Sequence, residues 1–299
     1  MKKTLYIFLT ALAAVACHKS DRFDQEPYSL ETSTKMAGDI VKGAPDYFGH
    51  VKHDKVTNLS QGVSLLDLAY LNKNGYAMQM YLFKVVLGSS TVSVALPDGE
   101  NKRAGTSALA ATLNGSATVL GAVNGDAYSA ADKAPVGIVY RSGEGVKTTF
   151  SDGKGGFFAI LKDGTAVIAA QSGYGTYRKS LLNAIGVRDL ILTDGYPVIE
   201  EKPVQEARTF VAVSEDGMTV WIGVVDGVYF YYSNGISRSD LATVLKAAGA
   251  RNAALLDGGT VTTLIRRDDL GETLFPVVNT PSDNGIEKEV PNALVIIEN

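Results

Sequence analysis

The chain has 299 residues, 45% of them hydrophobic and 20% charged, with a formal net charge of −4 and one cysteine. That length buries a full core without cross-links, and a lone cysteine excludes a disulfide framework or a cysteine-ligated metal centre. A mildly acidic chain with no basic block is a poor match for duplex nucleic acid. The three histidines, His18, His50 and His53, all precede the main folded pattern, so histidine-based zinc or serine-triad chemistry is not expected in the core. Acid-rich turns could hold a divalent cation, but none has the spacing of a recognised calcium loop, and no metal ligand set or cofactor is assigned.

In chain order, Lys2 and Lys3 precede an apolar stretch over residues 5–16, of signal-peptide length and too short to span a bilayer as a helix. Small residues, Ala14-Val15-Ala16, lead straight into Cys17. The segment resembles a bacterial lipoprotein signal, in which the cysteine is lipidated and becomes the first residue; Ala14 stands where such signals usually carry Leu. Ordinary cleavage after Ala16 would instead leave a free thiol in an oxidising compartment, a liability. The resemblance implies a signal peptide over 1–16, then a lipidated tether and N-terminal extension over 17–55. It also implies a place in the bacterial cell envelope, facing periplasm or surface, with the membrane touched only through the lipid. Loss of Lys2 and Lys3 takes the net charge to about −6. Residues 18–34 are polar, as a tether requires.

From Gly62 the chain alternates strand-like runs with turns. Residues 90–96 close at Pro97-Asp98-Gly99, 157–161 turn at Asp163-Gly164 into 166–170, and 211–213 turn through Asp216-Gly217 into 219–225. Asp-Gly between β-rich runs is a favoured hairpin turn. Helices are predicted over 106–113, 178–185 and 239–248, each opened by Ser or Thr or preceded by one, and followed by Gly. The aromatic run Tyr229-Phe230-Tyr231-Tyr232 reads as a strand with one buried face, or as a surface that stacks on a sugar.

An internal repeat runs through these elements. Leu182, Ala184, Gly186, Arg188, Leu192, Asp194 and Gly195 recur at constant offset as Leu245, Ala247, Gly249, Arg251, Leu255, Asp257 and Gly258. A weaker copy runs from Leu113 to Asn124-Gly125. Each unit reads as helix, Gly stop, buried strand, then an acid or amide before Gly. If like units pack alike, Asn124, Asp194 and Asp257 gather at one sheet edge, where open α/β sheets bind ligands. Plain turns are the alternative for such pairs, and suffice for Asp98, Asp163 and Asp216. Asp257 lies among apolar and β-branched residues and needs partners or a role.

Four segments then carry a further resemblance: residues 122–128 (AVNGDAY), 207–213 (ARTFVAV), 255–263 (LLDGGTVTT) and 290–294 (VPNAL). In order and spacing they resemble the phosphodiester glycosidase family, over roughly residue 65 to the C-terminus. The chain departs from the family pattern at Ala127-Tyr128, where two aromatics are usual, at Thr260 and Val261, in place of Gly and Ser, and at Lys288, in place of Arg.

The resemblance implies one sheet-dominated α/β domain of α+β character with mixed strand pairing, over 56–299. It implies hydrolysis of a glycosyl-1-phosphodiester, of the N-acetylglucosaminyl kind, with a sugar-phosphate or glycan as partner. Such a reaction needs a carboxylate to attack or activate water, and cations or N–H groups on the phosphate. Asp257 is the first candidate carboxylate, with Asp126 and Asp194 as partners. Arg208 suits an oxyanion through its planar fork, and Lys288 offers a second charge. Gly258 and Gly259 offer backbone N–H groups; Thr262 and Asn292 offer hydrogen bonds to sugar hydroxyls. Asn124, Gly125 and Asp226 complete the expected binding set, Asp226 being equally explained as a turn. The alternative is a non-catalytic glycan-binding surface lipoprotein on the same fold, which Ala127, Thr260 and Val261 would suit.

Overall fold

The computed structural model describes residues 28–299 apart from 100, 101, 152 and 154; Cys17 and the leader lie outside the described residues. The order opens with α1 (Lys35–Gly43), β1 (Phe48–Ser60), β2 (Val63–Asn72), β3 (Ala77–Val86) and β4 (Ser90–Ala95). Helix α2 (Thr106–Leu113) leads into β5 (Thr118–Asn124), β6 (Val139–Arg141), β7 (Glu144–Lys147), β8 (Gly156–Leu161) and β9 (Ala166–Ala170). A single turn, α3 (Tyr174–Tyr177), precedes β10 (Leu181–Val187), β11 (Asp189–Thr193), β12 (Tyr196–Pro197), β13 (Arg208–Val213) and β14 (Thr219–Val225). Helix α4 (Arg238–Ala247), β15 (Asn252–Leu255), β16 (Leu264–Arg266) and β17 (Ala293–Glu298) complete it.

The strands form three sheets: an eight-stranded one in the order β1-β2-β3-β14-β13-β15-β11-β12, a five-stranded one, β7-β6-β10-β8-β9, and a four-stranded one, β16-β5-β17-β4. The large sheet is the middle layer. In β13, Phe210 and Ala212 face α1 and α4, while Val211 and Val213 face the two smaller sheets. β3 divides the same way, Met78, Met80 and Leu82 against Tyr81, Phe83 and Val85. Period-two alternation with both faces buried explains why these strands read as unbroken apolar runs. Fully burying each such side chain stabilises the fold by about 1.5–3 kcal/mol. Helix α4 starts where Ser237 Oγ accepts from the Asp240 N–H at 3.1 Å and ends before Gly249, whose φ of +104° suits a residue without a Cβ.

The sheet-dominated α/β character is as expected, and the helices over 106–113 and near 239–248 form. Three expectations need correction. Residues 178–185 do not make a helix: β10 takes most of that window and pairs with β8 and β6. Pairing is not mixed, because every named strand pair is antiparallel. The boundary placed at residue 56 falls inside β1, and the segment before it joins the core: Ala37, Ile40 and Val41 of α1 are buried with Leu241 and Leu245 of α4.

Candidate active site

The site forms where the ends of β5, β10 and β15 meet the starts of β11, β13 and β17. Asn124, the last residue of β5, is fully buried and joins three chain segments. Its Nδ2 donates to the Asp257 carbonyl at 2.7 Å, and its Oδ1 accepts from Thr209 Oγ1 at 2.7 Å and from the Thr263 N–H at 3.0 Å. Gly125 continues the junction, its N–H donating to the Asn292 carbonyl and its own carbonyl accepting from the Asp257 N–H. A Cβ at Gly125 would collide with Asn292 Oδ1, so only glycine fits this approach. Asn292 Oδ1 accepts the Asp126 N–H at 2.8 Å. Asn124, Gly125 and Asn292 therefore hold the segments that carry two aspartates.

Those aspartates are the candidate chemical centre. Asp126 is 2% exposed, and its Oδ2 accepts from the Gly137 N–H at 2.6 Å. Room for that carboxylate depends on Gly137 and Gly186 facing one another; a Cβ on Gly186 would lie 2.5 Å from both Asp126 Oδ2 and Gly137 Cα. Burial pushes Asp126 up to about 7, the N–H groups of Gly137 and Ala127 pull back, and the Asp257 charge pushes the same way as burial. Asp257 is also raised by burial, against the opposing pull of Arg188 and of the Gly258 N–H. Arg188 Nη1 sits 3.2 Å from Asp257 Oδ1. One carboxyl is thus held neutral to near pH 7 beside a second that keeps a cation, the separation of roles that acid–base pairs need.

Two neighbouring pockets both have Arg188 and Asp189 in their linings, and Asp257 lies between Leu256 and Gly258 of the second. The first, about 380 Å³, is lined by Asp126, Tyr128, Phe150 and Gln171. The Arg103 guanidinium lies over the Tyr128 ring at 4.6 Å. The second, about 280 Å³, is lined by Glu206, Arg208, Gly258 and Gly259. A larger cavity, about 590 Å³, is lined by residues including Pro97, Lys102, Arg141 and Pro291 and contains neither aspartate; the chemistry places the site in the two smaller pockets.

Arg208 reaches the second pocket. Its Nη1 pairs with Glu206 Oε2 at 2.7 Å and its Nε donates to the Ile236 carbonyl at 3.3 Å. Gly258 and Gly259 line the same pocket, but their N–H groups already donate, to Asp257 Oδ1 at 3.1 Å and to the Ala207 carbonyl at 2.9 Å. The expectation that they serve phosphate is corrected accordingly.

Four more expected positions fall elsewhere. Asp194 stands at the opposite end of β15 from Asp257, near Arg251 and Asn252. β11 runs antiparallel to β15, so its start, Asp189, and not its end, lies beside Leu255. Asp226 is fully buried and accepts from Asn279 Nδ2, the Thr280 N–H and Tyr232 Oη; it is neither a plain turn nor open to a ligand. Thr262 is buried with its Oγ1 turned inward. Lys288 pairs with Asp283 at 3.3 Å, with no contact to either aspartate.

Arg188, Asp189, Thr209, Gly137 and Gly186 are site residues that sequence reasoning missed. A signal existed for the first pair: two adjacent charges interrupt the apolar run from Ala184 to Leu192.

A paired-carboxylate cleft bordered by two arginines is the equipment of a glycosidase acting beside an anionic group. Residues 117–297 match the family model described as phosphodiester glycosidase, more than half of the chain, and the chain belongs to that family of hydrolases. Among solved structures it is similar to the zebrafish N-acetylglucosamine-1-phosphodiester alpha-N-acetylglucosaminidase catalytic domain, auto-inhibited by its pro-peptide. That match has a TM-score of 0.63 and 19% identity over 83% of this chain and 88% of that one. A hypothetical protein from Synechocystis is similar with a TM-score of 0.60 and 11% identity, over 83% and 64% of the respective chains. At these identities the solved structures share the fold. No curated protein sequence matches the chain.

Proposed function

We propose that this chain hydrolyses a glycosyl-1-phosphodiester of the N-acetylglucosaminyl kind in the bacterial cell envelope, held there by a lipid on Cys17. The geometry that supports the reaction is Asp126 and Asp257, carried on adjoining segments joined by the Asp257 N–H to Gly125 carbonyl bond, with Arg188 on Asp257. In this reading the sugar occupies the pocket of Asp126, Tyr128 and Phe150, and the phosphate meets Arg188 and Arg208 in the other. The bond from the anomeric carbon to the phosphate oxygen breaks, and the phosphate monoester leaves with the electron pair. Asp257 either attacks that carbon, water then cleaving the resulting glycosyl ester, or takes the proton of the water that attacks it. The leaving monoester has a second pKa of about 6, so it departs without strong acid help. Asp126, protonated below about pH 7, donates a hydrogen bond to the departing oxygen.

The test is proton NMR of the protein with an α-N-acetylglucosaminyl methyl phosphodiester, beside Asp257→Asn. We expect free sugar from the wild type, with the first anomer giving the stereochemistry, and a loss of about a thousandfold or more in the variant. Turnover should also decline above pH 7 as Asp126 ionises. No sugar release from this diester by folded wild type, across pH 5 to 8, would refute the reading and leave a glycan-binding role on the same fold.

A further inference from the structure

Residues 127–136 form an excursion between β5 and β6. The Val136 N–H donates to the Ala127 carbonyl and closes it, and its returning end presents the Gly137 N–H to Asp126 Oδ2 at 2.6 Å. Lys147, in the edge strand β7, fastens that end. Its Nζ donates to the Val136 carbonyl at 2.9 Å, to the Gly137 carbonyl at 3.2 Å and to Ser151 Oγ at 3.0 Å. Three acceptors match the three protons of an ammonium. The Ser151 N–H also donates to the Val136 carbonyl, at 2.8 Å, so both lone pairs of that oxygen are engaged.

The Val136 carbonyl and the Gly137 N–H belong to one peptide unit. Lys147 therefore meets Asp126 through a single planar amide, with the ammonium on its oxygen and the carboxyl on its nitrogen. A bond accepted at the carbonyl polarises the amide and makes its N–H a better donor, the more so when the partner is charged. Lys147 lines the cavity of about 590 Å³ and not the pocket of Asp126, so it reaches the carboxyl only through the loop. Its charge and the N–H groups of Gly137 and Ala127 favour an ionised Asp126, while Asp257 opposes it. Tyr128, Arg188 and Asp189 are the other titratable groups in that pocket.

We propose that Lys147 is a positioning residue for Asp126, holding its carboxyl in place through the peptide that joins Val136 to Gly137. This rests on the phosphodiester reading only in giving Asp126 a part in turnover; the hold itself needs no substrate. A hydrocarbon side chain at 147 would leave the amide oxygen to the Ser151 N–H alone and its N–H a weaker donor. The carboxyl would then keep its proton to higher pH and would be less firmly aimed at the departing oxygen.

The experiment follows the Gly137 N–H and Lys147 Nζ resonances by NMR from pH 5 to 9, in wild type, Asp126→Asn and Lys147→Met. In wild type we expect both to move with one midpoint near 7, and neither to move there in Asp126→Asn. A static resonance at either end, or one that still moves in Asp126→Asn, would overturn the proposal, and that reading needs no variant at 147 to fold. In Lys147→Met the Gly137 midpoint should rise by about half a pH unit or more, with its amide proton moved to higher field. An unchanged midpoint would overturn the proposal. On the methyl phosphodiester, kcat/KM of Lys147→Met should fall about tenfold and the alkaline decline in turnover should move to higher pH. A fall in turnover with the decline at its wild-type pH would leave Lys147 a merely structural residue and overturn the proposal. Where wild type turns over no such diester, the two resonances still decide, so this inference and the glycosidase reading fail separately.

Discussion

Asp226 and Asp257 begin from the same local design. Each follows an apolar strand, each precedes glycine, and their strands flank β13 on either side, ending at its Arg208 end. Burial raises both carboxyls. They part in what surrounds the oxygens. Asp226 is enclosed by three donors from Asn279, Thr280 and Tyr232 and ties the 279–280 segment to the sheet. Asp257 is partnered by the half-exposed Arg188 and stands beside a second carboxyl at the border of a cleft. Burial and position therefore do not by themselves single out a candidate catalytic aspartate; what sets Asp257 apart is a half-exposed arginine partner in place of three enclosing donors.

The strongest way to sharpen that contrast is through Asp126. Folded, it keeps its proton to about pH 7; in the unfolded chain it loses it near 3.9. Between those values the fold binds more protons, so this group's contribution to stability falls as pH rises across the window and is fully lost above about 7. Between pH 5 and pH 8 Asp126→Asn should gain about 3 kcal/mol on the wild type, read by urea unfolding. A difference that stays flat with pH would mean that Asp126 is ionised in both states. Asp226→Ala, which strands three donors, should cost a similar amount, about 3 kcal/mol. A loss no larger than that of a surface aspartate would erase the contrast.

Gly186→Ala should displace the Asp126 carboxylate and lower kcat/KM by about a hundredfold. Full activity in that variant would show that the position of Asp126 is not used. The smallest effect belongs to Asp194→Asn, which keeps a side chain suited to the local φ of +51°. It should change stability by less than about 0.5 kcal/mol and leave turnover intact; a marked loss of activity would return Asp194 to the site.

Much of this was legible in the residues. The Asp-Gly turns, the strands over 157–161 and 219–225, and the capped α4 follow local rules that tertiary packing does not override. The window from Arg178 to Ile185 misled because a short buried strand of Leu, Ala and Ile has no periodicity to separate it from a helix. The repeat correctly brought Asn124 and Asp257 together. It failed for Asp194, since equal sequence units meet at one edge only if their strands run the same way, and β11 and β15 run oppositely. Direction of pairing is a long-range property that no local pattern records. Arg188 was hidden for the same reason: its value comes from Asp257, 69 positions away.

The grip of Asn292 on Gly125 and Asp126 sets a timetable. Asn292 enters β17, which lies between β5 and β4, so the acid-bearing loop stays unset until that late strand is seated. A chain that folds as it emerges N-terminus first would lack that grip through most of its emergence, and the loop of Asp126 would be set in one closing step.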